Sequence, residues 1–190
     1  RMRFRRPKPE TTAPDEAIDL PPPDHRRNAY RDDLAAVSLK GRVIAPHYSA
    51  GVQRQIVRSS VPLRRRPDPA AGLETEALHG EIVTQYDEAD GWSWVQLERD
   101  GYVGYLPSDT LTTDVRAATH RVKALGTFLY PAPDIKSPPL LHLSINAALA
   151  ITDLGDKFCR TAAGHFVISR HIAEKDRNAR DFADVAERLI

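Results

Sequence analysis

The side chains with the clearest chemical potential lie between Gly91 and Leu106, and their chemistry is that of contact rather than of bond making. Trp92, Trp94, Tyr102 and Tyr105 fall in that stretch. Aromatic rings present large area at low entropy cost, which suits a sugar or peptide ligand. A small β-structure also needs aromatics to fill its interior, so both readings stand for these residues. Alternation puts Trp92 and Trp94 on one face. Both would fit a small interior only if one packed against the chain's second repeat. Arg64, Arg65 and Arg66, with Arg58 nearby, have the charge to grip the carboxylates of an acidic peptide or a neighbouring domain. A solvated loop is the commoner meaning of such a run. Tyr86 and Tyr130 read as packing residues.

Catalytic and metal chemistry find little support. The single cysteine, Cys159, excludes an internal disulfide and a cysteine-built zinc site. It sits in the strand-like string Lys157-Phe158-Cys159-Arg160, matching the Trp94-Val95 region, and reads as a small half-buried core residue. Of the seven histidines, His47, His79, His120, His142, His165 and His171 are scattered, without the paired spacing of a metal site. No catalytic residue, metal or cofactor is expected. A net charge of +1 gives no pull toward nucleic acid. Glu81, Asp87, Glu88, Asp90, Glu98 and Asp100 surround the aromatic stretch and would repel phosphate.

The elements that must position these residues follow from their pattern. Trp92 to Leu97 alternates aromatic and aliphatic faces, and Tyr102 to Leu106 alternates again, so Gly91 to Leu106 reads as a β-hairpin. Arg99-Asp100-Gly101 is its turn, Gly supplying the positive φ. Gly104 leaves room for a neighbouring backbone or ring. Pro107 closes the hairpin and Ser108 to Leu111 forms a turn.

The pattern then recurs. An extended stretch at Ile56-Val57, the string Leu63 to Pro69, a strand Leu78 to Thr84 and the hairpin make one unit. His120 to Leu125, Leu129 to Asp134, Leu143 to Leu149 and Gly164 to Ile168 echo them in order. Two copies of one barrel are expected. At this size each copy would be marginal alone, so they are expected to pack together.

Residues 1–27, rich in proline and arginine, read as extended or disordered. Residues 28–54 read as a lead-in: Asp32 or Asp33 caps a short helix through Leu39, ended by Gly41, followed by an extended segment. At the far end, Phe182, Val185, Ala186, Leu189 and Ile190 make one apolar helix face over 178–190.

The Gly-Trp…Gly-Tyr-Val-Gly hairpin resembles that of bacterial SH3 (SH3b) domains. The ordered set is similar to NlpC/P60 cysteine peptidases carrying paired N-terminal SH3b domains. The matching strings are Asp32 to Ala36, Gly91 to Leu106, Thr119 to Val122 with Tyr130 to Asp134, and Asp181 to Ile190. The resemblance implies a mainly β fold: a first SH3-like barrel over 55–114, a second over 119–174, a short N-terminal helix, and a C-terminal amphipathic helix at 178–190 that opens a catalytic domain. It further implies a cysteine nucleophile, a histidine base and a polar orienting residue that hydrolyse the bond between D-glutamate and a diamino acid in muropeptides. The Gly-Thr-Pro-Tyr and Asp-Cys-Ser-Gly motifs that carry this chemistry are absent from residues 1–190. The expectation is therefore the targeting and gating part of a peptidase, its partners a muropeptide and a catalytic domain beyond Ile190. A stand-alone module for peptidoglycan or a protein is the alternative.

Hydrophobic content of 41% and charged content of 28% fit a globular chain. No apolar run is long enough to span a membrane. Arg1 to Leu20 lacks the apolar region of a secretory signal, which points to a cytoplasmic location. The sequence begins with Arg, leaving its true start, and with it an envelope location, open.

Overall fold

The computed structural model describes residues 21–175. Its elements are almost all strands. The lead-in contributes β1 (Leu34–Ala36) and β2 (His47–Ser49). The first unit follows as β3 (Val52–Ile56), β4 (Ser60–Arg64), β5 (Leu73–Leu78), β6 (Ile82–Ala89), β7 (Trp92–Leu97), β8 (Val103–Pro107) and β9 (Leu111–Thr112). These form one seven-stranded sheet in the order β5-β4-β8-β7-β6-β3-β9.

Local sequence explains the central meander. Asp90 and Gly91 both have positive φ, 52° and 78°, as a two-residue turn between β6 and β7 requires. Gly101, at φ 76°, serves the β7–β8 turn. Along β7, Val95 and Leu97 point inward with Ile56, Val61, Leu63, Ala77, Val83 and Leu106 to make the core. Each fully buried Leu, Ile or Val in it is worth about 1.5–3 kcal/mol. Gly104 is pressed between β7 and β4: a Cβ there would lie 2.7 Å from the Arg64 carbonyl oxygen. A bulge between Gln85 and Asp87 shifts the β6–β7 register, so that Gln85 faces Val95 while Asp87 faces Trp94. Strand β5 carries few β-branched residues and was not expected. Its pairing with β4 from Ser60↔Leu78 onward supplies what propensity does not. The strand expected over Leu78 to Thr84 is broken by a turn at His79-Gly80, Gly80 having φ 79°.

The short N-terminal helix is corrected. Residues 34–36 are a strand, paired in parallel with β2 through Leu34↔His47, Ala35↔Tyr48 and Ala36↔Ser49. Only a single 3-10 turn follows, Val37–Leu39. Asp33 caps nothing: its carbonyl accepts from His47 N and its carboxylate takes Arg31. Backbone pairing with residues distant in sequence outcompetes the local helical pattern. Part of the proline-rich leader is also packed, since Val103 N donates to Arg26 O at 2.8 Å. The expected helix at 178–190 lies outside the described residues.

The second unit contains β10 (His120–Val122), β11 (Gly126–Leu129), β12 (Leu141–Ser144), β13 (Ala148–Leu149), β14 (Ile151–Asp153), β15 (Phe158–Thr161), β16 (Phe166–Ile168) and β17 (Ile172–Glu174). Its opening strand stops at Val122, short of the expected Leu125. Pairings repeat those of the first unit. β10 lies between β13 and β17 as β3 lies between β6 and β9. β11 pairs with β12, and β14-β15-β16 form a meander. The bridge Tyr130↔Phe166 matches Arg64↔Tyr105. The turn at Gly80 corresponds to one at Asn146: Gly80 N donates to Ile56 O and Asn146 N to Val122 O. Val122, Leu129, Leu143, Leu149, Cys159, Val167 and Ile172 are buried together.

Two echoes read from the sequence are out of step. Ser144, not Leu143, corresponds to Leu78, because Glu81 N bonds Leu78 O as Ala147 N bonds Ser144 O. The second hairpin is shorter, so Phe166 corresponds to Tyr105 rather than to Val103. Cys159 corresponds to Ser93, each facing its strand partner, Val167 or Leu106, and each bonded to the serine opening a 3-10 turn. The units touch where Ala148 N donates to His79 O at 2.8 Å.

Candidate ligand-binding site

Trp92, Trp94 and Tyr105 share a cavity of about 320 Å³ with Arg31, Pro67, Asp87, Ala89 and Asp90. Strand alternation explains the shared face, since Trp94 is cross-strand partner of both Tyr105 and Asp87. The Asp90-Gly91 turn brings Asp90 to the rim. Trp92 is half-buried, whereas Trp94 is only 4% exposed.

Trp94 is covered by the lead-in, not by the second unit. It packs with Ala29, Ala36, Leu39 and Val103, bordered by Tyr30, Tyr86 and Tyr105. The Tyr86 ring lies 5.8 Å from it, centroid to centroid, at 54°. This aromatic layer is a second core on the outer face of the meander, and it gives Trp94 room that the interior of the first unit lacks.

Arg31 ties the cavity together. Its guanidinium lies 4.7 Å from the Trp94 ring centroid. It donates to Asp33 at 2.7 Å, to the Tyr105 hydroxyl at 3.3 Å and to the Asp87 carboxylate. Burial alone would lower the Arg31 pKa, but the bonds to Asp33, Asp87 and Tyr105 outweigh it and hold the charge firmly. Asp33 is in turn held below the usual carboxylate range, chiefly by its bond from Arg31. Burial pushes the Tyr86 hydroxyl above its ordinary value; that hydroxyl donates to Gln96 Oε1 at 3.1 Å.

The site therefore offers aromatic walls, a fixed cation and carboxylates at one edge. An amino group suits Asp87 and Asp90, and methyl groups suit the rings, while Arg31 is already taken up by Asp33, Asp87 and Tyr105.

The other candidates lie elsewhere. Tyr102 packs against the barrel core and is overlain by Arg26 and Arg27, at 5.6 and 5.0 Å. Arg64, at the end of β4, donates to Ala71 O in the loop that follows, at 2.8 Å. Arg65 pairs with Glu74 at 2.5 Å, and Arg66 is exposed in the same loop. Cys159 is buried, its thiol donating to Ser169 Oγ at 3.2 Å. Among the described residues, no group of three or more His, Cys, Asp or Glu is placed to hold a metal ion. Among them, too, no helix is long and apolar enough to cross a membrane. Sequence reasoning missed Arg31, which has no local signature. Asp90 was within reach, because Asp-Gly between alternating strands is a hairpin signal that places it beside Trp92.

Comparison with known proteins agrees with this fold. Residues 63–111 match the bacterial dipeptidyl-peptidase SH3 domain family. No curated protein matches the chain. Among solved structures, a NlpC/P60 family protein from Bacillus cereus is 19% identical with a TM-score of 0.54, over 65% of this chain and 56% of that one. NlpC2 from Trichomonas vaginalis is 13% identical, TM-score 0.29, over 75% of this chain and 56% of that one. NlpC1 from the same organism is 12% identical, TM-score 0.30, over 71% and 50%. The chain thus spans about half the length of these structures. Residues 63–111 carry a bacterial SH3 domain, and the Bacillus cereus structure that shares its fold is a NlpC/P60 family protein.

Proposed function

We propose that this chain is the SH3b targeting and substrate-gating region of a cell-wall cysteine endopeptidase of the NlpC/P60 type. It comprises two tandem SH3-like barrels, residues 55–114 and 119–174. The repeated strand pairing of the second unit supports the tandem reading. In the full protein the first barrel holds the peptide of a muropeptide and presents its D-glutamyl–diamino acid bond to a catalytic domain outside these 190 residues. The chemistry of hydrolysis belongs to that domain, and none of it is assigned to Cys159. Muropeptides, free of the wall and met in the cytoplasm, are the substrate pool of this reading.

The observation that carries the proposal is the cavity of Trp92, Trp94, Tyr105, Arg31, Asp87 and Asp90. A short peptide with a free amino group and small apolar side chains suits Asp87, Asp90 and the aromatic walls. Tyr102, Arg64 and Arg66 stand outside that cavity; in this proposal they shape and buttress the barrel rim.

The test is a titration of stem tripeptide containing D-glutamate and a diamino acid, read by Trp92 and Trp94 fluorescence. A saturable change that Trp92→Ala abolishes is expected. No saturable change, or one that survives in Trp92→Ala, would refute ligand binding at this cavity. Reading the coding sequence beyond Ile190 separates the two classes of function. Continuation into an Asp-Cys-Ser-Gly motif supports the peptidase, and a stop codon supports a stand-alone binding module.

A further inference from the structure

A second cavity, of about 450 Å³, lies between the two units, away from the tryptophans. Its volume falls within the roughly 300–1,000 Å³ of small-molecule sites, which favour such junctions. Val57, Leu140 and Leu141 are among its apolar lining residues, and the first two are exposed large hydrophobics, 38% and 51% accessible. Its charged and titratable groups are unequal in sign. Arg58 and His79 come from the first unit, Arg116 from the linker and His165 from the second unit. Asp114 is the carboxylate among the lining residues, and it is already engaged by Arg116 at 2.6 Å.

We propose that this cleft binds a small organic anion with an apolar body, of the medium-chain carboxylate type. Arg58 and His79 hold its carboxylate, and Val57, Leu140 and Leu141 cover its chain.

The Arg58 guanidinium is available for exchange. Its pairing with Asp109 is long, 3.4 Å, and both side chains are more than half exposed, at 58% and 73%, so it is worth little. His79 is oriented by its Nδ1 against the Val57 carbonyl at 3.2 Å. Burial, then the nearby His165, keep its pKa below the ordinary value. A bound carboxylate reverses that balance, so His79 takes up a proton with the ligand. A cationic amphiphile would meet Arg58 and Arg116, and a neutral one would leave them unused.

The test uses the whole chain and two probes of matched length, decanoate and decanol, below their aggregation ranges. Each competes with the fluorescence of bound 1-anilinonaphthalene-8-sulfonate. One saturable site is expected, with decanoate displacing the dye about tenfold better than decanol, as a charge-assisted bond would give. Arg58→Gln, at an exposed residue, should remove that preference while leaving decanol displacement unchanged. Ala163→Trp, at the exposed mouth of the cleft, should abolish both. Decanoate affinity should rise as pH falls from about 8 to about 6, and His79→Gln should flatten that rise. Absence of a saturable site, equal displacement by decanol, or binding unaffected by Ala163→Trp would each overturn the proposal.

Discussion

Gly80 is where the junction between the units can be tested most sharply. It has φ 79°, and a Cβ at that position would lie 2.0 Å from the carbonyl oxygen and 2.7 Å from the carbonyl carbon of Ala148. Both are backbone atoms and cannot rotate away. To restore the 3.4 Å of ordinary contact, β13 must retreat by 3.4 − 2.0, or about 1.4 Å. That retreat carries the Ala148 N to His79 O bond, now 2.8 Å, beyond hydrogen-bond range. Gly80→Ala therefore costs the left-handed backbone term, about 1–2 kcal/mol, plus about 1–3 kcal/mol for overpacking and the lost bond. Gly41→Ala isolates the first term, because Gly41 has φ 90° with nothing within 4 Å of its Cβ position. Asn146 occupies the corresponding turn of the second unit at φ 69°, so the turn itself tolerates a side chain. Urea unfolding followed by circular dichroism should show Gly80→Ala less stable than Gly41→Ala by about 1–3 kcal/mol, and calorimetry should show the transition splitting as the units uncouple. Equal losses for the two variants would refute the idea that Gly80 is kept for the junction.

Three further outcomes follow from single sites. Gly104→Ala places a Cβ 2.7 Å from the Arg64 carbonyl oxygen and 2.8 Å from Leu63 Cγ; it should cost about 1–3 kcal/mol in the same urea assay, and a negligible loss would mean that β4 and β8 do not approach so closely. Arg31→Gln should shift tryptophan emission to longer wavelength as Trp94 gains water, with a loss of about 0.5–2 kcal/mol; unchanged emission in Arg31→Gln would argue against the clamp. Since the folded state holds His79 and His171 below their ordinary value of 6.5, their protonation favours unfolding. Stability should fall as pH drops below that value and level off below the folded-state values. His79→Gln should reduce the slope of urea-midpoint against pH, leaving the His171 share, and an unaltered slope would count against burial as the cause.

What the sequence made legible, and what it hid, follows the range of the interactions. The hairpin from Trp92 to Pro107 could be read because alternation, Gly101 and Gly104 are local signals. The role of Gly104 as a point of close approach was visible from its place inside a strand. The correspondence of Leu63 with Leu129 was also visible, since both precede the strand bridge to the meander. The lead-in misled because Asp33 to Leu39 has a helix's local pattern, while its backbone bonds go to His47–Ser49 and Ala29. The second hairpin misled because its shorter arms shift every residue matched by counting from the glycine. Arg31 could not be placed at all: its partners Asp87, Trp94 and Tyr105 are remote in sequence.

The two units share a scaffold but not a surface, and the difference bears on which one binds. By strand pairing, Trp92 corresponds to Phe158 and Tyr105 to Phe166, so aromatic character persists at both places. Trp94, however, corresponds to the exposed Arg160. A tryptophan at that position needs cover, and the lead-in supplies it through Ala29, Ala36 and Leu39. The clamp at Arg31 needs the bulge, which sets Asp87 opposite Trp94. The bulge recurs in the second unit, where the same register shift sets Asp153 opposite Arg160; what the first unit adds is the tryptophan and the lead-in that covers it. Without that tryptophan and its cover, the second unit still keeps its core and its contact through Ala148. In the proposed function, recognition at the tryptophans therefore belongs to the first unit. Under that same proposal, the second unit holds the first through Ala148 and lines the cleft between them.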